Sequence, residues 1–172
     1  ATVTFNNTLR RGNLKVIKTS EDSFVEGIKF HLYGTSLSGL TVDEYAVTDE
    51  SGTAEFNNVL ISGDEPYTLE EYGTDKKYVI PDTQSVIIEW NKTINRNFRN
   101  VLKKWRAEAC KVDRSVKKTG AAQGNATLEG AVYGLYKDGI LIEKYTTDKN
   151  GCFTTEYYPC GDDWTIREIT PS

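Results

Sequence analysis

Methionine is absent from this chain, histidine occurs once, cysteine three times and proline four times in 172 residues. One His and three Cys leave few ligands for a metal, so neither a metal site nor a cofactor is expected. No apolar run approaches the ~20 residues of a membrane-spanning helix, which argues against membrane insertion. Net charge is -4 and no basic tract occurs, which argues against nucleic acid as a partner. No secretory leader, lipidation motif or sorting tail is visible, so the sequence reads as an excised piece of a longer protein. An odd number of cysteines leaves at least one unpaired within the chain. Cys152 and Cys160 could bridge if neighbouring strands bring them together; free thiols are the equal alternative.

What remains is a soluble globular balance of 38% hydrophobic and 27% charged residues. Ten Tyr, with Thr, Val and scattered Gly, favour strands over helices. Alternation of period two dominates. Leu14, Val16 and Lys18 share one face, as do Ile28, Phe30 and Leu32, then Tyr67, Leu69 and Glu71, then Val86 and Ile88, then Phe98, Asn100 and Leu102. Turn chemistry separates them, as in Asp49-Glu50-Ser51-Gly52 and Asp148-Lys149-Asn150-Gly151. The expected fold is all-β, an antiparallel sandwich.

The same motifs occur twice, in the same order. Phe5-Asn6-Asn7-Thr8-Leu9 matches Phe98-Arg99-Asn100-Val101-Leu102 at a spacing of 93 residues, which also separates Lys18 from Lys111. Glu26-Gly27 through Tyr33 matches Glu129-Gly130 through Tyr136, and Tyr67-Thr68-Leu69-Glu70-Glu71 matches Trp164-Thr165-Ile166-Arg167-Glu168. A tandem array of one β-domain is the reading. Residues 1–11 are expected to be the last strand of a preceding repeat, 12–104 a complete sandwich, and 105–172 a second sandwich without its closing strands.

Lys18, Glu71 and Asn100 all fall at inward parity, where an amine, a carboxyl and an amide are costly unless they meet. Lys111, Glu168 and Asn7 are their counterparts in the neighbouring copies. Burial favours the uncharged forms of amine and carboxyl. A neutral Lys18 is a nucleophile, and Glu71 could polarise the Asn100 amide and shuttle protons while ammonia leaves. The product would be an intramolecular amide between Lys18 and Asn100, made once, so the domain is not a turnover enzyme. A satisfied, unreacted network suits the same residues, and Lys18 could instead snorkel to solvent.

The pattern Leu14-x-Val16-x-Lys18-Thr19, Glu26-Gly27-x-x-Phe30-x-Leu32-Tyr33, Thr48-Asp49-x-x-Gly52, Tyr67-Thr68-Leu69-x-Glu71 and Phe98-x-Asn100 resembles the collagen-adhesin B-type domain, also called the SpaA-type or prealbumin-like pilin module of Gram-positive surface proteins. The resemblance implies an inverse immunoglobulin-like sandwich whose first and last strands are neighbours. It implies a Lys–Asn isopeptide bond with an acid as catalyst, at Lys18, Asn100 and Glu71. It also implies an extracellular place on a Gram-positive cell surface, anchored to the wall through a part outside this chain. Two features depart from the family pattern: Glu70 adjoins Glu71, and Gly73-Thr74-Asp75 replaces the usual Ala-Pro.

The expected role is therefore a stalk module of an adhesin or pilin, with neighbouring repeats as partners. A module binding a host extracellular-matrix protein or a glycan is the alternative. Head-to-tail completion of the second sandwich by residues 1–9 of another molecule is a further option. Trp105 is expected between adjacent domains. His31, with no Cys or carboxylate pattern around it in sequence, reads as a surface residue.

Overall fold

A computed structural model describes residues 1–112 and 128–171, and the chain divides into two compact units, 1–102 and 103–172. Among the described residues there are strands and no helix, so none is long and apolar enough to cross a membrane.

The first unit contains β1 (Arg11–Ser20), β2 (Lys29–Thr35), β3 (Thr41–Val47), β4 (Thr53–Leu60), β5 (Tyr67–Tyr72), β6 (Tyr78–Val79), β7 (Gln84–Val86) and β8 (Thr93–Leu102). They form two four-stranded sheets, ordered β4-β1-β8-β6 and β3-β2-β5-β7. The alternation read from the sequence is the alternation of burial. Leu14, Val16, Phe56 and Phe98 of one sheet meet Phe30, Leu32, Leu69 and Val86 of the other in a single core. Phe30 and Phe98 pack edge to face with ring centroids 5.0 Å apart. The result is an all-β sandwich.

One pairing departs from an antiparallel plan. β1 and β8 run parallel, from Asn13 opposite Thr93 to Ser20 opposite Asn100. Parallel neighbours need a long crossover, and here six intervening strands supply it. The chain therefore enters the unit at the start of β1 and leaves at the end of β8, at opposite ends of one strand pair.

The turn from β3 to β4 fixes the height of Lys18. Gly52 sits at φ 77°, and its carbonyl accepts the Lys18 backbone N–H at 2.8 Å. A Cβ at Gly52 would lie 2.6 Å from the Lys18 carbonyl oxygen. The Asp49 carboxylate closes the same turn by accepting the Ser51 and Thr53 backbone N–H groups, each at 2.9 Å. This is hairpin chemistry. It recurs in the second unit, where Asp148 accepts from Asn150 and Cys152, and Lys111 N–H donates to the Gly151 carbonyl at 2.8 Å.

The second unit contains β9 (Lys104–Trp105), β10 (Glu108–Cys110), β11 (Val132–Lys137), β12 (Ile140–Thr146), β13 (Cys152–Thr154), β14 (Tyr158–Pro159) and β15 (Trp164–Thr170). Its ladders are β10-β13, β12-β11-β15 and β9-β14. Leu135, Ala131 and Phe153 are its buried apolar residues. Among the described residues, β10 pairs with β13 alone. Trp105 packs within this unit, against Trp164 at 5.4 Å and Tyr158 at 6.1 Å.

One expectation needs correction. The disulfide joins Cys110 to Cys152, not Cys152 to Cys160. Cys110 and Cys152 face each other as ladder partners on β10 and β13, whereas Cys160 follows β14, is exposed and carries a free thiol. Nearness in sequence misled, because strand pairing sets which side chains face each other. Residues 1–10 are exposed and belong to no strand of this chain, and Arg11 is the first residue of β1.

Two outcomes follow from these features. Gly52→Ala should lower stability by about 1–3 kcal/mol in urea denaturation of the chain, since an added Cβ must displace backbone. Non-reducing peptide mapping should return a Cys110–Cys152 peptide and an alkylated Cys160; a Cys152–Cys160 peptide would contradict the ladder.

Candidate functional site

Three strands deliver three polar side chains to the core. Lys18 ends the inward series of β1, Glu71 ends that of β5, and Asn100 lies two residues beyond Phe98 on β8. The two sheets bring them to one spot. Lys18 is the ladder partner of Phe98, and Glu71 that of Phe30. The two phenyl rings that meet edge to face therefore wall the cluster with hydrocarbon.

Glu71 is the hub. Its Oε2 lies 2.7 Å from Lys18 Nζ, and both side chains are sealed, at 1% and 0% exposure. Its Oε1 accepts a hydrogen bond from Asn100 Nδ2 at 3.0 Å. Beyond the 2.7 Å contact, Lys18 Nζ and Glu71 Oε2 have no other partner among the described residues, and buried Asn100 Oδ1 has none. Such unmet polar groups are rare in cores. Burial pushes the Lys18 amine below its ordinary value, and hydrogen bonding and attraction to Glu71 oppose that shift without cancelling it.

Chemically, one carboxyl group touches two nitrogens. One belongs to an amine with a lowered pKa, the other to a primary amide. Through its two oxygens the carboxyl can take a proton from the first and hand one to the second. Two nitrogens on one acid are what an amine-for-ammonia exchange requires.

Strand parity distinguishes Glu71 from its neighbour. Glu70 points to the outer face, where its Oε1 lies 3.1 Å from His31 Nδ1. Asp43 Oδ1 lies 2.7 Å from His31 Nε2, and the imidazole stacks on Tyr45 and Tyr33 at 4.3 and 4.5 Å. His31 is thus enclosed by cross-strand carboxylates and rings that its own segment does not reveal.

The counterparts in the second unit also meet. Lys111 Nζ lies 2.9 Å from Glu168 Oε1, with side chains 23% and 37% exposed. Asn7 is exposed and outside any strand. Among the described residues, no group of three or more His, Cys, Asp and Glu could hold a metal. A hollow of about 480 Å³ in the second unit is lined by Trp105, Trp164, Leu135 and Ile166. Leu135 and Ile166 align with Leu32 and Leu69, both core residues of the first unit. Its floor is thus the inner face of a sheet.

The sequence reading passed over Asp22 and Tyr78. Tyr78 is 1% exposed, and its hydroxyl donates to both oxygens of the Asp22 carboxylate at 2.8 and 2.9 Å. They lie 56 residues apart, Asp22 in the loop after β1 and Tyr78 on the two-residue β6, so no periodic pattern joins them.

Comparison with curated proteins found no match. Among solved structures, the Bacillus anthracis TIE protein superposes with a TM-score of 0.68 at 24% identity, covering 94% of this chain and 28% of that one. The chain thus spans little more than a quarter of that protein's length. A Streptococcal ancillary pilin matches with a TM-score of 0.44 and 15% identity, over 95% of this chain and 60% of that one. The full-length major pilin SpaD from Corynebacterium diphtheriae matches at 0.45 and 12%, over 97% and 89%. Residues 12–101 match the SpaA prealbumin-like fold domain. With more than half its length in that match, the chain belongs to the SpaA prealbumin-like domain family.

Proposed function

We propose that the first unit seals itself with an isopeptide bond between Lys18 Nζ and Asn100 Cγ, with Glu71 as the proton shuttle. The observation that carries this is the single buried carboxyl group in contact with both the amine and the amide. Glu71 Oε2 takes a proton from Lys18, and the neutral amine adds to Asn100 Cγ. As the tetrahedral centre collapses, Glu71 Oε1 returns that proton to Nδ2, and Oε2 takes the second proton from Nζ. The new C–N bond replaces the old one, one ammonia leaves and carries that second proton off as ammonium, and Glu71 ends as it began. Fixed proximity in a dry pocket supplies most of the acceleration. The reaction occurs once per molecule, so the domain is its own substrate.

The topology gives the bond its purpose. Tension arriving at Arg11 and leaving at Leu102 would shear the parallel pair β1–β8. A link from Lys18 to Asn100 carries that load across the pair and spares the loop of 81 residues between them. By analogy with a disulfide, closing such a loop contributes about 4–5 kcal/mol. The larger gain is kinetic, in resistance to unfolding and proteolysis.

We read the chain as part of the stalk of a Gram-positive adhesin or pilin. It would lie outside the cell, in a tandem array with neighbouring repeats as its partners and wall attachment through another part of the protein. Lys111 and Glu168 are the corresponding half-site of the second repeat. Family membership and the TIE superposition support this reading, alongside a fold that places entry and exit at opposite ends.

Intact mass spectrometry of the denatured chain tests the bond. The wild type should weigh one ammonia less than its sequence, while Glu71→Gln and Glu71→Ala should each retain that ammonia. A full-mass wild type would leave an inert network. The unlinked Glu71→Gln chain should also melt lower, by on the order of 20–30 °C, in calorimetry of the first unit's transition. Equal melting of linked and unlinked chains would remove the stabilising role.

A further inference from the structure

Tyr78 belongs to a two-residue strand at the edge of its sheet, paired among the described residues through Tyr78–Leu102 and Val79–Val101. Two ladder pairs are a weak tether for a ring that is 1% exposed. What holds it is the loop after β1. The Asp22 carboxylate accepts the Tyr78 hydroxyl through both oxygens, the Ser20 hydroxyl at 2.6 Å and the Phe24 backbone N–H at 3.3 Å, and it pairs with Lys77 Nζ at 2.8 Å. Charge-assisted bonds of this kind are the strong ones. Those partners, Lys77 first, hold the Asp22 carboxyl far below the usual carboxylate range.

The loop is stitched to the strand that carries the reacting amide. Glu21 N–H donates to the Asn100 carbonyl at 3.1 Å, and Leu102 N–H donates to Glu21 Oε2 at 3.0 Å. Ser20, ladder partner of Asn100, lies with its Oγ 3.4 Å from the Tyr78 hydroxyl. Tyr78, Phe24, Tyr72 and Thr74 line a cavity of about 140 Å³ that reaches Glu71. Thr74 Oγ1 in that wall is buried without a partner among the described residues. With Tyr78 swung out, this cavity would admit water to the shuttle.

We propose that Asp22 is a positioning residue for the Lys18–Asn100 bond: its carboxylate latches Tyr78 across the end of β1 and closes the reaction site against water. This rests on the isopeptide reading above. Asp22 touches none of the reacting atoms. It acts by keeping the site dry, and dryness is what lowers the Lys18 amine and frees its lone pair. Glu71 is the titratable group that bears on Lys18.

The test follows bond formation in time. Unreacted chain is collected in denaturant from cell-free synthesis and diluted into buffers from about pH 6 to about pH 9. The linked fraction is read by intact mass. Asp22→Ala and Tyr78→Phe should both slow ammonia loss about tenfold or more near neutrality. Their rates should reach a plateau at higher pH than the wild type, because a wetter Lys18 stays protonated longer. Asp22→Asn, which keeps an oxygen for the Tyr78 hydroxyl, should recover most of the rate. Asp22→Ala and Tyr78→Phe chains that link at the wild-type rate, even with lower melting temperatures, would overturn the latch. Slowed variants with an unshifted pH profile would also overturn it, since they would mark Asp22 as structural. A wild type that never loses ammonia, matching the Glu71→Gln control, would overturn the isopeptide reading and the latch together. If Asp22→Ala does not fold, Asp22→Asn and Tyr78→Phe decide.

Discussion

A carboxyl group deep in hydrocarbon, with an amine on one oxygen and an amide on the other, is the constraint around which the first unit is built. Moving an ion pair out of water costs several kcal/mol per ion, and good geometry recovers that only in part. A sandwich of this size could fill the same space with Leu or Met at lower cost. Keeping three polar groups there demands registers that agree across both sheets. Lys18 must end the inward face of β1, Glu71 that of β5, and Asn100 must stand one inward step past Phe98. A slip of one residue in any of the three strands would turn its member to solvent.

The same registers tie chemistry to topology. Because β1 and β8 are parallel neighbours, an amine and an amide from distant parts of the chain lie on adjacent strands. Gly52 pins the Lys18 backbone through one hydrogen bond, and the loop at Glu21 pins the Asn100 backbone through another. Phe30 and Phe98 keep the space between them apolar. In the second unit Lys111 and Glu168 find each other with far more exposure, and there β10 has β13 as its sole ladder partner among the described residues. The contrast between the two pairs illustrates how much of the first site's dryness comes from β8.

Period-two alternation made the sandwich and its inward positions readable from sequence. Leu14, Val16 and Lys18 are buried together, as are Tyr67, Leu69 and Glu71. Parity also separated Glu71 from Glu70, and the 93-residue spacing pointed to Lys111 as the partner of Glu168. Features that depend on which strands become neighbours were not readable. The parallel sense of β1 and β8 is one. The pairing of Cys110 with Cys152 across a ladder, in preference to nearer Cys160, is another. His31 looked isolated because its carboxylates, Asp43 and Glu70, arrive from flanking strands. Asp22 lies in a loop and Tyr78 on the two-residue β6, too short for a periodicity to be read.

The central claim is a covalent join between the entering and leaving strands, and tryptic mapping of the denatured chain examines it at the bond itself. An acylated Lys18 resists trypsin, so the account predicts a branched peptide of residues 16–29 joined to residues 100–103, lighter than the two together by one ammonia. Recovery of residues 16–18, 19–29 and 100–103 as separate linear peptides, with Asn100 intact, would contradict it.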